Sequence, residues 1–225
     1  LYLAWLPYLL TQNVRIVVSV LSEAEQGERT IPAQVLQGRE PTDHQRWLPP
    51  MTREAAQAAL GKWLQAAGRT LTAAQAGAVL DDHQRAGGKA LYLKLAFEEV
   101  RVLRSYGDVP ALPDSLPALV DTLFDRLSDR RNHGPEIVER SLAYLMAAKE
   151  GLDEEELIEI LSSDSSFIDA LNRRDDQSRK DWPQIEGRIP DVLWSRFYLD
   201  LRPYLAERNS PAGTSHRFYH RVLNE

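Results

Sequence analysis

The chain has 225 residues, 43% of them hydrophobic, a formal net charge of −6, a pI near 5.5 and no cysteine. That length supports one or two packed cores, and the acidic balance argues against a sequence-independent hold on nucleic-acid backbone. The missing cysteine rules out disulfides, Cys-based metal sites and thiol nucleophiles, which suits a reducing cytoplasm.

From Leu1 to Leu10, the residues Leu3, Leu6, Leu9 and Leu10 fall at helical spacing beside Trp5, and Pro7 limits the regularity of that helix. Leu1-Tyr2-Leu3 has neither an initiator Met nor the basic segment of a signal peptide, so the chain reads as cut from something larger. Val14–Leu21 is nearly all β-branched or apolar, the pattern of a strand covered on both faces. It is also the longest apolar run, too short to cross a membrane. A weaker extended piece, Gln45–Leu48, follows a polar stretch and stops at Pro49-Pro50. Two strands do not make a stable sheet, so the rest of that sheet is expected upstream.

From Thr52 the periodicity is helical for about 120 residues. Thr52 caps a helix carrying Ala55, Ala59, Leu60, Trp63 and Leu64 and ended by Gly68; Thr72 with Gln75 forms a capping box ahead of Ala76, Val79 and Leu80. Beyond Gly87-Gly88, the apolar residues of Ala90–Leu103 cover most of the helix circumference, so that helix is expected to be central and buried. Gly107–Pro113, with two prolines, marks the expected domain boundary. Next come helices over Ser115–Arg130, Pro135–Ala148 and Glu154–Leu161, the last capped by Asp153 with Glu156 completing the box. Asp164–Lys180 reads as a loop around a short helix at Phe167–Leu171, and Pro190–Tyr204 as a helix burying Val192, Leu193, Phe197 and Leu201. Tyr204–Glu207 and Arg217–Tyr219 read as strands joined by a turn over Asn209–Gly213. Three helices followed by a hairpin is the order of a winged helix.

No catalytic constellation stands out. Gly61-Lys62 and Gly88-Lys89 lack the earlier glycine, the following Ser or Thr and the preceding strand of a phosphate loop. The acidic run Asp153–Glu156 is explained by the preference of helix N-termini for negative charge. Asp81-Asp82-His83 cannot converge on one metal, because adjacent helical residues diverge by about 100°; the triplet reads as solvated surface. The pairs Arg130-Arg131 and Arg173-Arg174 are too few for a DNA-binding face. Two residues merit more. Ser19 lies near the carboxyl end of the first strand, where α/β sheets face their ligands, although plain sheet packing explains it equally well. His220 sits where the last strand runs into a helical turn; its imidazole can donate to a phosphate, or simply pack beside the hairpin against a backbone carbonyl.

Several segments together resemble a family. They are Trp5-Leu6-Pro7, Val14-Arg15-Ile16-Val17-Val18-Ser19, Leu91-Tyr92-Leu93-Lys94-Leu95-Ala96, Gly151-Leu152 with Glu154-Glu155-Glu156-Leu157 and Leu161, and Phe218-x-His220 with Glu225. Their order and spacing resemble the NACHT branch of the STAND NTPases, most closely its nephrocystin-like and telomerase-associated-protein-like group, which also occurs in bacterial antiphage sensors. The resemblance spans nearly the whole chain but only the back half of the family's module.

It implies a mainly α fold in three parts: residues 1–50 as remnant strands of a P-loop NTPase α/β core, with Ser19 at the sensor-1 position; 51–112 as a helical lid; and 113–225 as a winged-helix domain with a C-terminal β-hairpin. His220 matches the winged-helix histidine that contacts the β-phosphate of ADP and locks the inactive state. The implied protein is a cytoplasmic switch ATPase in signalling or antiviral defence, using ADP or ATP with Mg. It releases lid and winged helix for homo-oligomerisation when other domains sense a trigger. The implied partner of this stretch is the upstream nucleotide-binding domain, with no membrane and no nucleic acid expected. Both Walker motifs are absent, so this stretch alone is expected neither to hold nucleotide tightly nor to hydrolyse it. Val20 replaces the sensor-1 arginine of many relatives, and Gly88-Lys89-Ala90 replaces their Gly-x-Pro entrance to the lid helix, whose proline packs on adenine. The alternatives are a winged-helix DNA-binding regulator and the lid of an AAA+ remodelling ATPase.

Overall fold

The computed structural model describes residues 6–7, 11–20, 31–39, 44–103, 111–173, 184–210, 213–220 and 223. The chain divides into two units, Leu1–Pro49 and Pro50–Glu225.

In the first unit the described secondary structure is one helix, α1 (Ile31–Arg39), with Pro32 in its first turn, where a missing N–H is tolerated. The expected strand is not formed: Val14–Val20 carry no β pairing, and Val17 is 97% exposed. A strand exists only by bonding to a neighbour, and no neighbour stands beside this run among the described residues. Gln45–Leu48 likewise carries no β pairing, and Trp47 and Leu48 are exposed. Apart from Leu6 and Pro7, the expected N-terminal helix lies outside the described residues, as does Leu21.

The second unit is built on helices whose starts follow their caps. Thr52 Oγ1 accepts the Ala55 N–H at the head of α2 (Arg53–Ala66), and Thr72 and Gln75 bond reciprocally at the head of α3 (Ala73–Arg85). Both bonds satisfy amide donors that a first helical turn leaves unpaired. Helix α4 (Ala90–Arg101) packs on both of them and on α5 (Leu116–Ser128), and buries Tyr92, Leu93, Leu95, Ala96, Phe97 and Val100. It also buries Glu98 and Glu99. Such carboxylates are tolerated inside only when paired. Lys94 and Arg101 flank Glu98 one turn to either side, while Arg126 of α5 forks onto Glu99 with three contacts of 2.9 to 3.1 Å.

The apolar core runs without a break from Ala56 to Leu223. It passes through the join expected near residue 112, where Leu112 is buried with its N–H on Asp82 and Tyr92 donates to the Pro113 carbonyl. Beyond it come α6 (Pro135–Ala147), α7 (Glu154–Ser163), α8 (Ser165–Asn172) and α9 (Asp191–Leu201). The Asp153–Glu156 box heads α7, and Asp164 caps α8. Val192, expected in the buried face of α9, is exposed; Leu193, Trp194, Phe197 and Leu201 carry that face.

The hairpin of β1 (Leu205–Ser210) and β2 (Gly213–Phe218) is longer than its sequence suggests, because Asn209 and Ser210 pair with Thr214 and Gly213 instead of turning. Its bonds are made by backbone, which a polar side chain does not forbid. A third segment joins it: Leu152, between α6 and α7, forms an antiparallel bridge with His216, N–H to carbonyl at 3.1 and 2.7 Å. The foot of the hairpin is anchored by Phe218, edge-on to Phe124 at 6.2 Å, and by the Tyr219 N–H on the Tyr204 carbonyl. Among the described residues no helix is long and apolar enough to cross a membrane.

Candidate functional site

His220 directly follows the foot of the hairpin. Phe218 and Tyr204 are buried, and the Tyr219 hydroxyl is enclosed without a partner, its pKa pushed up to about 12 by burial and by nearby Glu98. The backbone leading to His220 is therefore fixed by core packing, while the imidazole stays half-buried. The Leu223 N–H bonds the His220 carbonyl, so the chain turns at this histidine as the sequence suggests. Ser19 is exposed on the unpaired run of the first unit. The two candidate ligand residues thus belong to separate units.

His216, four residues earlier, points inward. Its Nε2 lies 3.2 Å from the Tyr198 hydroxyl, and Tyr198 stacks on Trp194, whose indole N–H donates to Glu154 at 2.7 Å. This chain ties β2 to α9 and α7, and only the fold reveals it, since its members are scattered from 154 to 216.

The triplet Asp81-Asp82-His83 is not solvated surface. Asp81 is exposed and pairs with Arg53, but Asp82 is buried, bonded to Arg85 and the Leu112 N–H, and His83 is fully enclosed. The end of α3 lies under the chain that leads into α5, a covering no local pattern announces. Among the described residues no group of three or more His, Cys, Asp or Glu is arranged to hold a metal.

Neither glycine-lysine pair forms a phosphate cradle. Gly61-Lys62 lies inside α2, and Gly88-Lys89 is a turn capping the start of α4. Arg130 pairs with Glu136, and Arg173 donates to the Asp169 carbonyl; Arg174 lies outside the described residues.

A shallow cleft between α6, α7 and α8 holds Arg140, Tyr144 and Asp164. Hydrogen bonds from Ser166 and Tyr144, then the Phe167 N–H and Arg140, hold the Asp164 carboxyl down at about 2. A carboxylate with a lowered folded pKa stabilises the fold above its unfolded value and loses that contribution as pH falls through the folded one. Asp164→Asn keeps the cap oxygen but removes the charge that Tyr144 and Ser166 donate to, and should cost about 1 kcal/mol near neutrality, the difference between charged and neutral hydrogen bonds. That gap to the parent should narrow as pH falls from about 4 toward 2 in urea unfolding. A gap as wide at about pH 3 as at about pH 6 contradicts this assignment.

No family model matches the chain, and no solved structure matches it. Over 136 residues, 59% of its length, the chain is 34% identical to NACHT domain- and WD repeat-containing protein 1 of Homo sapiens. Over 121 residues, 53% of its length, it is 34% identical to NACHT and WD repeat domain-containing protein 2 of Mus musculus. It spans only 8% and 6% of the lengths of those two relatives. The matched half of the chain is thus related to NACHT domain-containing proteins, consistent with a piece of a NACHT-type module.

Proposed function

We propose that this chain is the regulatory, helical part of a NACHT-type switch ATPase, in which His220 reads the phosphates of an ADP held by the nucleotide-binding domain of the same protein. The relatives support the family-level part of this reading. The observation that carries the rest is the Leu152–His216 bridge. It supports reading residues 113–225 as a winged helix: two helices (α5, α6), a short strand at Leu152 paired with the last strand of the hairpin, three helices (α7, α8, α9), then the hairpin.

In this reading residues 51–112 are the lid, and the run around Val17, with Ser19 at the sensor-1 position, would become a strand only on pairing with the nucleotide-binding domain. His220 would donate to the β-phosphate, a charge-assisted bond and therefore a strong one. That bond biases a two-state arrangement of domains. ADP supplies the phosphate and, with Mg and ATP, the chemistry of the switch; exchange for ATP releases the winged helix for homo-oligomerisation in signalling or defence. Since Lys89 and Ala90 stand where relatives have the adenine-packing proline, the phosphate contact carries more of the hold on nucleotide.

The DNA-binding alternative is disfavoured by α9 and the hairpin: Val192 and Leu199 are exposed on the helix, and Arg202 and Arg208 are paired with Glu207 and Glu150. Salt-sensitive retention on DNA would revive it. An AAA+ lid would instead go with constitutive hydrolysis and no retained ADP. The test uses the intact protein: it should purify with about one ADP per chain, and His220→Ala should lower ADP retention at least tenfold, the worth of about 1.4 kcal/mol, and raise spontaneous assembly. Full retention without new oligomers removes His220 from the mechanism.

A further inference from the structure

Among the described residues, the imidazole of His83 at the end of α3 is 0% exposed and leaves a ring nitrogen without a partner. Its surroundings dictate where its proton sits. The Met51 carbonyl can only accept, so the Gln84 side-chain nitrogen, 3.3 Å away, donates to it. The same nitrogen lies 3.2 Å from His83 Nδ1 and has a second hydrogen to give. Nδ1 must therefore be the acceptor, and the ring proton sits on Nε2, which is buried without a partner. The neighbouring backbone completes the join: the Gly88 N–H bonds the His83 carbonyl, and the Met51 N–H bonds the Gly88 carbonyl at 2.8 Å.

A second ring proton would have to go on Nδ1, facing the amide N–H of Gln84. Two donors then oppose each other. If the amide turns its oxygen to the ring, that oxygen faces the Met51 carbonyl and two acceptors oppose each other instead. Relief of the first clash swings the Gln84 amide away from the ring and off the Met51 carbonyl, and the second arrangement removes the donor to Met51 outright. We propose that His83, Gln84 and Met51 form a proton-operated latch, which fastens the start of the helical unit to the Gly87-Gly88 turn and lets go on acidification.

The other charged and titratable groups on the packed elements do not replace it. Asp82 is engaged by Arg85 and the Leu112 N–H, Asp81 by Arg53, and Lys89, at the N-cap position of α4, is exposed and makes no cap bond with its side chain. Tyr92 of α4, its ring 6.3 Å from the imidazole, donates to the Pro113 carbonyl. Burial pushes the His83 pKa down, opposed in part by the backbone of Gly88 and Lys89. The latch is therefore closed throughout the neutral range. The unfolded chain binds its proton first as pH falls below the ordinary histidine value of about 6.5, so stability falls from there and release in the folded protein follows at lower pH.

The experiment is NMR on the intact protein, reading ring ¹⁵N shifts for the tautomer and hydrogen exchange at the Met51 amide, corrected for intrinsic rate. At about pH 7.5 the Nε2–H tautomer is expected, and Met51 protection should fall at least tenfold by about pH 5, about 1.4 kcal/mol of local opening. His83→Phe should hold protection within about twofold over that range, and Gln84→Met, which spares the histidine, should show low protection already at neutrality. An Nδ1–H tautomer, a flat response in the parent, or full protection and an unchanged pH response in Gln84→Met overturns the latch. Should His83→Phe not fold, the tautomer and Gln84→Met decide the matter.

Discussion

Gly151→Ala is expected to destabilise the unit Pro50–Glu225 by about 3 kcal/mol, enough to shift its urea midpoint visibly. Gly151 has φ +82, where an alanine is strained by about 1 to 2 kcal/mol. Its added Cβ would also lie 2.5 Å from the His216 carbonyl oxygen, a backbone atom that cannot swing aside. Relief requires β2 to move off Leu152, which sacrifices both bonds of the bridge. Gly68→Ala is the matched control, because Gly68 has φ +62 with nothing within 4 Å of the added carbon. It should show the strain alone, about 1 kcal/mol. Equal losses for the two variants would mean that the close approach at His216 carries no energy.

Arg126→Met should cost more, about 3 to 5 kcal/mol, by leaving the Glu99 carboxylate charged and enclosed with its fork removed. Glu99 is only 7% exposed, so water cannot replace the lost donors without opening the α4–α5 contact. Removing both charges tells a different story. Arg126→Met with Glu99→Leu leaves no orphaned group, and should return to within about 1 kcal/mol of the parent. Urea unfolding of the four proteins of this cycle measures the coupling, and a double variant as unstable as the single one refutes it.

These variants mark where the amino-acid pattern stops being informative. Helix starts were legible because their signals are local: Thr52, Thr72 and Asp153 each lie within three residues of the amide they cap. Burial of Glu99 was not, since it depends on an arginine 27 positions later. Nor was burial of Asp82, bonded to Leu112 30 positions on, or of His83, which packs beside Tyr92 of α4. Helix α1 lacks an apolar stripe, so its Ile31–Arg39 segment passed for polar linker. The β-branched run at Val14 was read from composition, but composition cannot provide a strand to pair with. The turn at His220, a phosphate contact for its imidazole and a ligand-facing place for Ser19 were read from the residues, whereas the ADP β-phosphate and the sensor-1 position came from the family resemblance.

The stitch between Gly151-Leu152 and β2 also imposes an order in time. Helices α2, α3 and α4 meet partners close in sequence and can assemble as they emerge from the ribosome, whereas Ser215 reaches the Glu150 carbonyl across 65 positions. Until those later residues have been synthesised, the Leu152 amide and the ring of Phe124 are bare, inviting non-native pairing. A chain stalled after α9 would therefore keep these groups open until the hairpin is completed.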